Sequence, residues 1–123
     1  MDKGRKGTTV TAVGYGLQAA SQNPVKAEKT VAELTRYQAD LMIVDTNGVA
    51  GIGSLPGTNS MTLSGDAKHG GTCFGDSGGP SLVGDNVLIA VTSFGLNGNC
   101  AGVGGVFRID RTVELDWINS FLG

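Results

Sequence analysis

The alternation of apolar and polar positions predicts short strands separated by glycine-rich turns. Thr8 to Val13 alternates β-branched and small side chains, which suits a strand, and Gly14-Tyr15-Gly16 ends it with residues that tolerate a bend. Gln18 to Lys26 reads as loop. From Lys29 to Tyr37, Val31, Glu33 and Thr35 oppose Ala32, Leu34 and Arg36, an alternation closer to strand than to helix. Leu41-Met42-Ile43-Val44 is a further short apolar run. Asp45-Thr46-Asn47-Gly48 follows it with an Asn-Gly turn signal, since both residues accept positive φ. The glycines and Pro56 between Val49 and Asn59 mark a surface loop. Gly51-Ile52-Gly53 opens like a dinucleotide-binding fingerprint, but the third glycine position is Pro56 and no strand-to-helix context surrounds it, so that reading fails.

Further along, Met61 and Leu63 lie two apart in a strand from Ser60 to Ser64, and Gly65 to Gly71 is a polar loop. Ser81-Leu82-Val83 and Val87 to Val91 flank Gly84-Asp85-Asn86, the pattern of a hairpin. One more strand falls within Gly102 to Ile109. Asp110 stands where it would cap the last segment, in which Val113, Trp117, Ile118 and Phe121 recur at helical spacing. That helix is expected to pack on the strands, with Trp117 as a core anchor. The expected architecture is all-β: one antiparallel barrel with a C-terminal α-helix, residues 1–123 forming a single domain.

Composition narrows the class. With 21 glycines and seven aromatic residues among 123, the chain suits a turn-rich β protein, and no apolar run is long enough to span a membrane. Nine basic and eleven acidic residues give a net charge of −2, which argues against nucleic acid or an anionic membrane as partner. Lys3, Arg5 and Lys6 cluster, but on a Gly-rich terminus they read as a solvated tail. The residues after Met1 are charged rather than apolar, so no secretion signal is legible there. Cys73 and Cys100 are too few for a zinc site and have no close ligand partners, so no metal or other cofactor is expected. They form either a disulfide or two thiols.

The candidate chemistry sits in Gly71-Thr72-Cys73-Phe74-Gly75-Asp76-Ser77-Gly78-Gly79-Pro80, where one hydroxyl stands among glycines beside an acid. Glycines on both sides let a substrate carbonyl approach Ser77 closely. If the N–H groups of Gly75 and Ser77 point into one concavity, they can hold the negative oxygen formed when a hydroxyl attacks an acyl carbon. Each such donor is typically worth ~3 kcal/mol. Gly75 to Gly79 also satisfies Gly-x-Ser-x-Gly, the nucleophile elbow of α/β-hydrolases. That fold needs a helix directly after the serine and a histidine downstream; here Pro80 leads into strand-like sequence and no histidine follows Ser77.

The decapeptide resembles the active-site segment of the trypsin/chymotrypsin family of serine proteases, and Gly-Asp-Ser-Gly-Gly-Pro at 75–80 is a highly specific match. Val91-Thr92-Ser93-Phe94-Gly95, Cys100, Gly104-Gly105-Val106-Phe107 and Trp117-Ile118 are similar to that family's last strands and terminal helix, in the family's order. Thr11 to Gly16 is similar to a strand early in the family's second barrel. The resemblance spans most of the chain, most weakly between residues 38 and 58. It implies the second, Greek-key barrel of a double-barrel fold and serine endopeptidase activity.

The resemblance also assigns residues. Ser77 would be the nucleophile, with Gly75 supplying an oxyanion donor. Asp76 would be buried and pair with a new amino terminus released by proenzyme cleavage; without that partner it should be solvated, protonated or bonded to other groups, because an unpaired buried carboxylate is costly. Gly71 would lie at the base of the primary pocket, Thr72 beside it, and Gly95 and Gly105 along its walls, with Phe74 among the substrate-binding residues. None of the pocket residues is charged, and Gly71 stands where the trypsin branch has a carboxylate, so apolar or aromatic side chains are expected before the cut bond. Ser93, Phe94 and Gly95 would lend their backbone to an extended peptide as an added strand, although Phe94 stands where the family usually has tryptophan. Cys73 and Cys100 would be bridged, which implies a secreted or otherwise oxidising location.

In this family the aspartate precedes the serine by roughly 90 residues and the histidine by roughly 140. Only 76 residues precede Ser77, so neither partner is present at family spacing. The expectation is a C-terminal half of a catalytic domain, inactive alone, whose base and its orienting acid arrive on an upstream N-terminal barrel. The sole histidine, His69, reads as a loop residue on the approach to the pocket rather than as the base. The alternative is a non-catalytic, protease-like module that binds peptides or proteins through the same cleft.

Overall fold

A computed structural model of the chain describes residues 4–16, 35–46, 59–65, 70–95, 100 and 102–123. Six strands, β1 (Thr9–Gly14), β2 (Tyr37–Asp45), β3 (Ser60–Leu63), β4 (Pro80–Val83), β5 (Val87–Gly95) and β6 (Gly104–Arg108), are followed by one helix, α1 (Thr112–Leu122). All strand pairs are antiparallel, and the order β1-β2-β3-β6-β5-β4 closes into a barrel where β4 returns to β1. The long connection from β3 to β4 sets β3 beside β6, a Greek-key arrangement. This is the architecture expected from the strand pattern.

Period-two alternation in β1 and β2 builds much of the interior, and β3 and β5 add consecutive buried residues. Val10 and Ala12 of β1, Leu41 and Ile43 of β2, Met61 and Leu63 of β3, Ile89 and Ala90 of β5 and Val106 of β6 form one buried cluster, with Ala39, Val83 and Val87 against it. Each fully buried aliphatic side chain is worth about 1.5–3 kcal/mol relative to exposure. Closure leaves no open sheet edge among the described strands. Three register shifts, at Ile43/Asp45, Ser81/Leu82 and Thr92/Phe94, bend the strands around the barrel.

Several expectations need correction. The apolar run at Leu41–Val44 is the second half of a nine-residue strand that begins at Tyr37. Ala39, Leu41 and Ile43 face inward while Gln38, Asp40 and Met42 are exposed, so the polar outward positions concealed the alternation. Thr35 and Arg36, placed by the sequence reading in a strand, belong to none. Its end, Tyr37, begins β2, while residues 29–34, the loops at Gln18–Lys26 and 49–58, Asn47-Gly48 and His69 lie outside the described residues. The hairpin around Gly84-Asp85-Asn86 forms as expected, with Gly84 at φ +63° and Val83 paired with Val87.

Residues Gly4 to Gly7 are anchored to the barrel. Arg5 and Lys6 are exposed, but Gly7 donates to the Ile43 carbonyl at 2.8 Å and the Gly4 N–H donates to Asp110 Oδ2 at 3.1 Å. Asp110 is therefore not a helix cap. Arg111 occupies that position, with no side-chain cap bond, because the Asp110 carboxylate is taken by Arg108 through Nε and the second guanidinium nitrogen, both at 2.8 Å. Arg108 also donates to the Thr46 carbonyl at 3.4 Å, so this buried pair ties the start of the chain, the end of β2 and the end of β6 together.

The helix itself departs furthest from expectation. None of its residues is buried, and Trp117 is 66% exposed, so it is not a core anchor. Its ring packs edge-on to Phe121 of the same helix at a centroid distance of 4.9 Å. Helical spacing identifies an apolar face; it does not say that this chain covers it.

Candidate active site

The segment 73–79 is two successive tight turns. Asp76 N–H donates to the Cys73 carbonyl at 3.0 Å and Gly79 N–H to the Asp76 carbonyl at 2.9 Å. Gly75 (φ +97°) and Gly78 (φ +81°) each occupy the third position of a turn, where a positive φ requires glycine. The Gly-x-x-Gly spacing around Asp76-Ser77 is therefore a backbone requirement. β5 fixes the second turn: Gly78 N–H donates to the Thr92 carbonyl at 2.8 Å, and Thr92 N–H donates to the Gly79 carbonyl at 2.9 Å.

Ser77 emerges from this frame exposed. The N–H groups of Cys73, Asp76, Gly78 and Gly79 are used, whereas those of Gly75 and Ser77 have no acceptor among the described residues. These are the two donors singled out in the sequence. Phe74, beside them, is also exposed.

Asp76 points the other way. Its Oδ1 accepts the Gly16 N–H at 2.9 Å and its Oδ2 the Cys73 N–H at 2.8 Å, which realises the third of the fates expected for this carboxylate, bonding to other groups. A Cβ added at Gly14 or Gly16 would run into the Asp76 carboxyl group. Both glycines thus belong to the site, though the sequence marked them only as a bend; the Gly-x-Gly ending β1 was the signal. A pocket of about 180 Å³ opens beside Asp76, lined among others by Val13, Gly14, Tyr37, Gln38 and Gly71.

On the opposite side of the loop, Cys73 and Cys100 are joined by a disulfide with a Cα–Cα distance of 5.2 Å. Thr72 lies against β6, where a Cβ added at Gly104 would come within 2.7 Å of its hydroxyl oxygen. β5 and β6 pair Phe94 with Gly105 and Gly95 with Gly104. Thr72, Phe94, Gly95 and Gly105 are thus gathered on one side, while Gly71 opens with Thr72 into the pocket near Asp76 and Tyr37.

The fold has relatives among solved structures. A mutant of human heparin binding protein superposes with a TM-score of 0.69 at 19% identity, over 96% of this chain and 44% of that one. A protein designated GrC gives 0.68 at 21% identity, over 96% and 48%. Kallikrein-related peptidase 10 gives 0.58 at 19% identity, over 96% and 51%. The chain therefore spans about half the length of these proteins. The family model for Trypsin matches residues 2–118, nearly the whole sequence, and with the closed six-strand barrel and the bridged, glycine-framed loop around Ser77 it establishes that the chain belongs to the Trypsin family.

Proposed function

We propose that this chain supplies the nucleophile half of a serine endopeptidase. The observation that carries the reading is the exposed Ser77 in the second of two turns that leave the N–H groups of Gly75 and Ser77 without acceptors among the described residues. Ser77 Oγ attacks the peptide carbonyl carbon while its proton passes to a histidine base, and the carbonyl oxygen, now negative, is held by the two N–H groups. Collapse expels the amine, which takes the proton from the histidine. Water then hydrolyses the acyl-enzyme by the same steps.

The histidine and its orienting aspartate come from a preceding barrel. Two features favour this: the chain spans about half of its structural relatives, and α1 offers an uncovered apolar face of Val113, Trp117, Phe121 and Leu122 suited to an apolar partner surface. Asp76, open to the pocket beside it, is the acceptor for an amino terminus freed by proenzyme cleavage. Such a cation would pair with the carboxylate and steady the loop that carries the two donors. The substrate is an extended peptide laid along Ser93, Phe94 and Gly95, with Phe74 at the rim. The Cys73–Cys100 bridge favours an exported setting.

The test is peptide hydrolysis by the chain joined to an N-terminal barrel that carries His and Asp. Cleavage after apolar or aromatic residues, lost in Ser77→Ala by a factor on the order of 10⁶ in kcat, is expected. Dominant cleavage after arginine or lysine would contradict the uncharged pocket, and unchanged hydrolysis in Ser77→Ala would contradict the nucleophile.

A further inference from the structure

Two buried hydroxyls lie directly behind the nucleophile's turn. Ser81, the first residue after Pro80, is fully buried on β4, and Thr92 on β5 is 6% exposed. Neither Ser81 Oγ nor Thr92 Oγ1 has a hydrogen-bond partner among the described residues. Strand register places both on the core face: Ser81 pairs with the core residues Ala12 and Ala90, and Thr92, two positions beyond Ala90, pairs with the core residue Val106. They are diagonal neighbours on one antiparallel pair, with side-chain bases roughly 7 Å apart.

A hydroxyl withdrawn from water and given no partner keeps the whole cost of its lost hydration. Two such groups on one face are best served by a shared partner. Small side chains make the space for it, since Ala39, Ala12, Ser81 and Ala90 stand side by side across β2, β1, β4 and β5. Ala12 and Ala39 also line the pocket beside Asp76, so this row begins where the pocket opens. One oxygen bonded to both hydroxyls spans ~5–6 Å, which suits a diagonal pair. We infer that Ser81 and Thr92 form an internal hydration site, in which a single water bridges Ser81 Oγ and Thr92 Oγ1. Thr62 Oγ1 is likewise buried without a partner, but it lies between the core residues Met61 and Leu63 and so faces away from this site.

The bridge reaches the nucleophile through Thr92. The Thr92 backbone holds Gly78 and Gly79, and Ser81 fixes the strand into which that turn runs. Joining their side chains ties the exit of the turn to its clamp, which makes Ser81 and Thr92 positioning residues for Ser77. The hydration site stands on burial and register; its bearing on catalysis rests on the protease reading above.

A crystal structure of the chain tests the site, and amide hydrogen exchange tests its effect. The first should show one ordered water about 2.7–3.0 Å from both hydroxyl oxygens. A direct Ser81–Thr92 bond, or no water shared by the two, overturns the site. In the second, Thr92→Val keeps the shape and loses the hydroxyl, whereas Thr92→Ser keeps the hydroxyl. The Gly78 N–H should exchange at least about tenfold faster in Thr92→Val than in the unaltered chain, and within about twofold of it in Thr92→Ser. Equal rates in Thr92→Val and the unaltered chain, or an acceleration as large in Thr92→Ser, overturn the positioning role. Where Thr92→Val fails to fold, Ser81→Ala decides: faster exchange at Gly78 is expected, and an unchanged rate overturns the bridge. Neither measurement needs a working nucleophile, so repeating both in Ser77→Ala separates failure of the bridge from failure of the hydrolase reading.

Discussion

The barrel interior and the face of α1 are built from similar residues and have opposite fates. Ile43, Met61, Leu63 and Ile89 are shut inside a closed ring of strands, whereas Val113, Trp117, Phe121 and Leu122 lie two-thirds or more exposed. The difference is one of completeness. Strands that close on one another bury their inward positions without help, and the Arg108–Asp110 pair with the Gly4 N–H finishes the joint at the barrel's end. A single helix beyond that joint has nothing among the described residues to bury its apolar face against. The barrel is thus self-sufficient in packing, and the helix is an invitation to a partner.

The largest stability effect should come from the joint. Asp110→Ala removes the carboxylate that pairs with the buried Arg108 guanidinium and is expected to lower the unfolding free energy by about 3–5 kcal/mol, read from urea denaturation. A loss under 1 kcal/mol would show that the joint is not part of the self-sufficient unit. Close behind, Ile43→Ala should cost about 2–5 kcal/mol by opening a cavity in the core.

The joint also gives a pH signature. Burial raises the Asp110 pKa, but the hydrogen bonds and charge of Arg108 and the Gly4 N–H outweigh it, and the net shift is downward. A carboxyl group with a lowered folded-state pKa stabilises the fold fully above the ordinary value. That contribution fades as pH falls below about 4 and through the folded-state pKa. Stability should therefore decline on the acid side, with a shallower decline in Asp110→Asn. Parallel curves for the two would place the acid sensitivity elsewhere.

The smallest effect sharpens the comparison most. Trp117→Ala should change the stability of the chain alone by no more than about 0.5 kcal/mol, since the side chain is 66% exposed. In the chain joined to an N-terminal barrel, the same substitution should cost more than about 1 kcal/mol, as a buried aromatic anchor does. Equal effects in both settings would mean that α1 is not the docking face.

Much of this was legible in the sequence, for reasons that differ by region. The turns around Ser77 were readable because Gly75 and Gly78 meet a backbone demand that no other residue meets as well; β3 shows in Met61 and Leu63 two apart, and β4 and the first half of β5 in the hairpin signal at Gly84-Asp85-Asn86. The first half of β2 was hidden because its outward residues, Gln38 and Asp40, are polar and its inward Ala39 is small. Asp110 looked like a cap because capping is a local property; its capture by Arg108 and Gly4 joins residues 106 positions apart, which no local pattern encodes. Trp117 misled for the same reason in reverse, since its periodicity was right and its ring is 66% exposed. That Ser81 and Thr92 share one face depends on the register shift at Ser81/Leu82, which no local pattern marked.

The most direct measurement is intact-mass analysis after exposure to a fluorophosphonate, which marks an activated serine covalently. The account predicts no adduct on the chain alone, one adduct confined to Ser77 once a barrel carrying His and Asp is joined to it, and none in Ser77→Ala. An unmodified Ser77 in the joined, folded protein would contradict the nucleophile assignment and leave the cleft to peptide binding without catalysis.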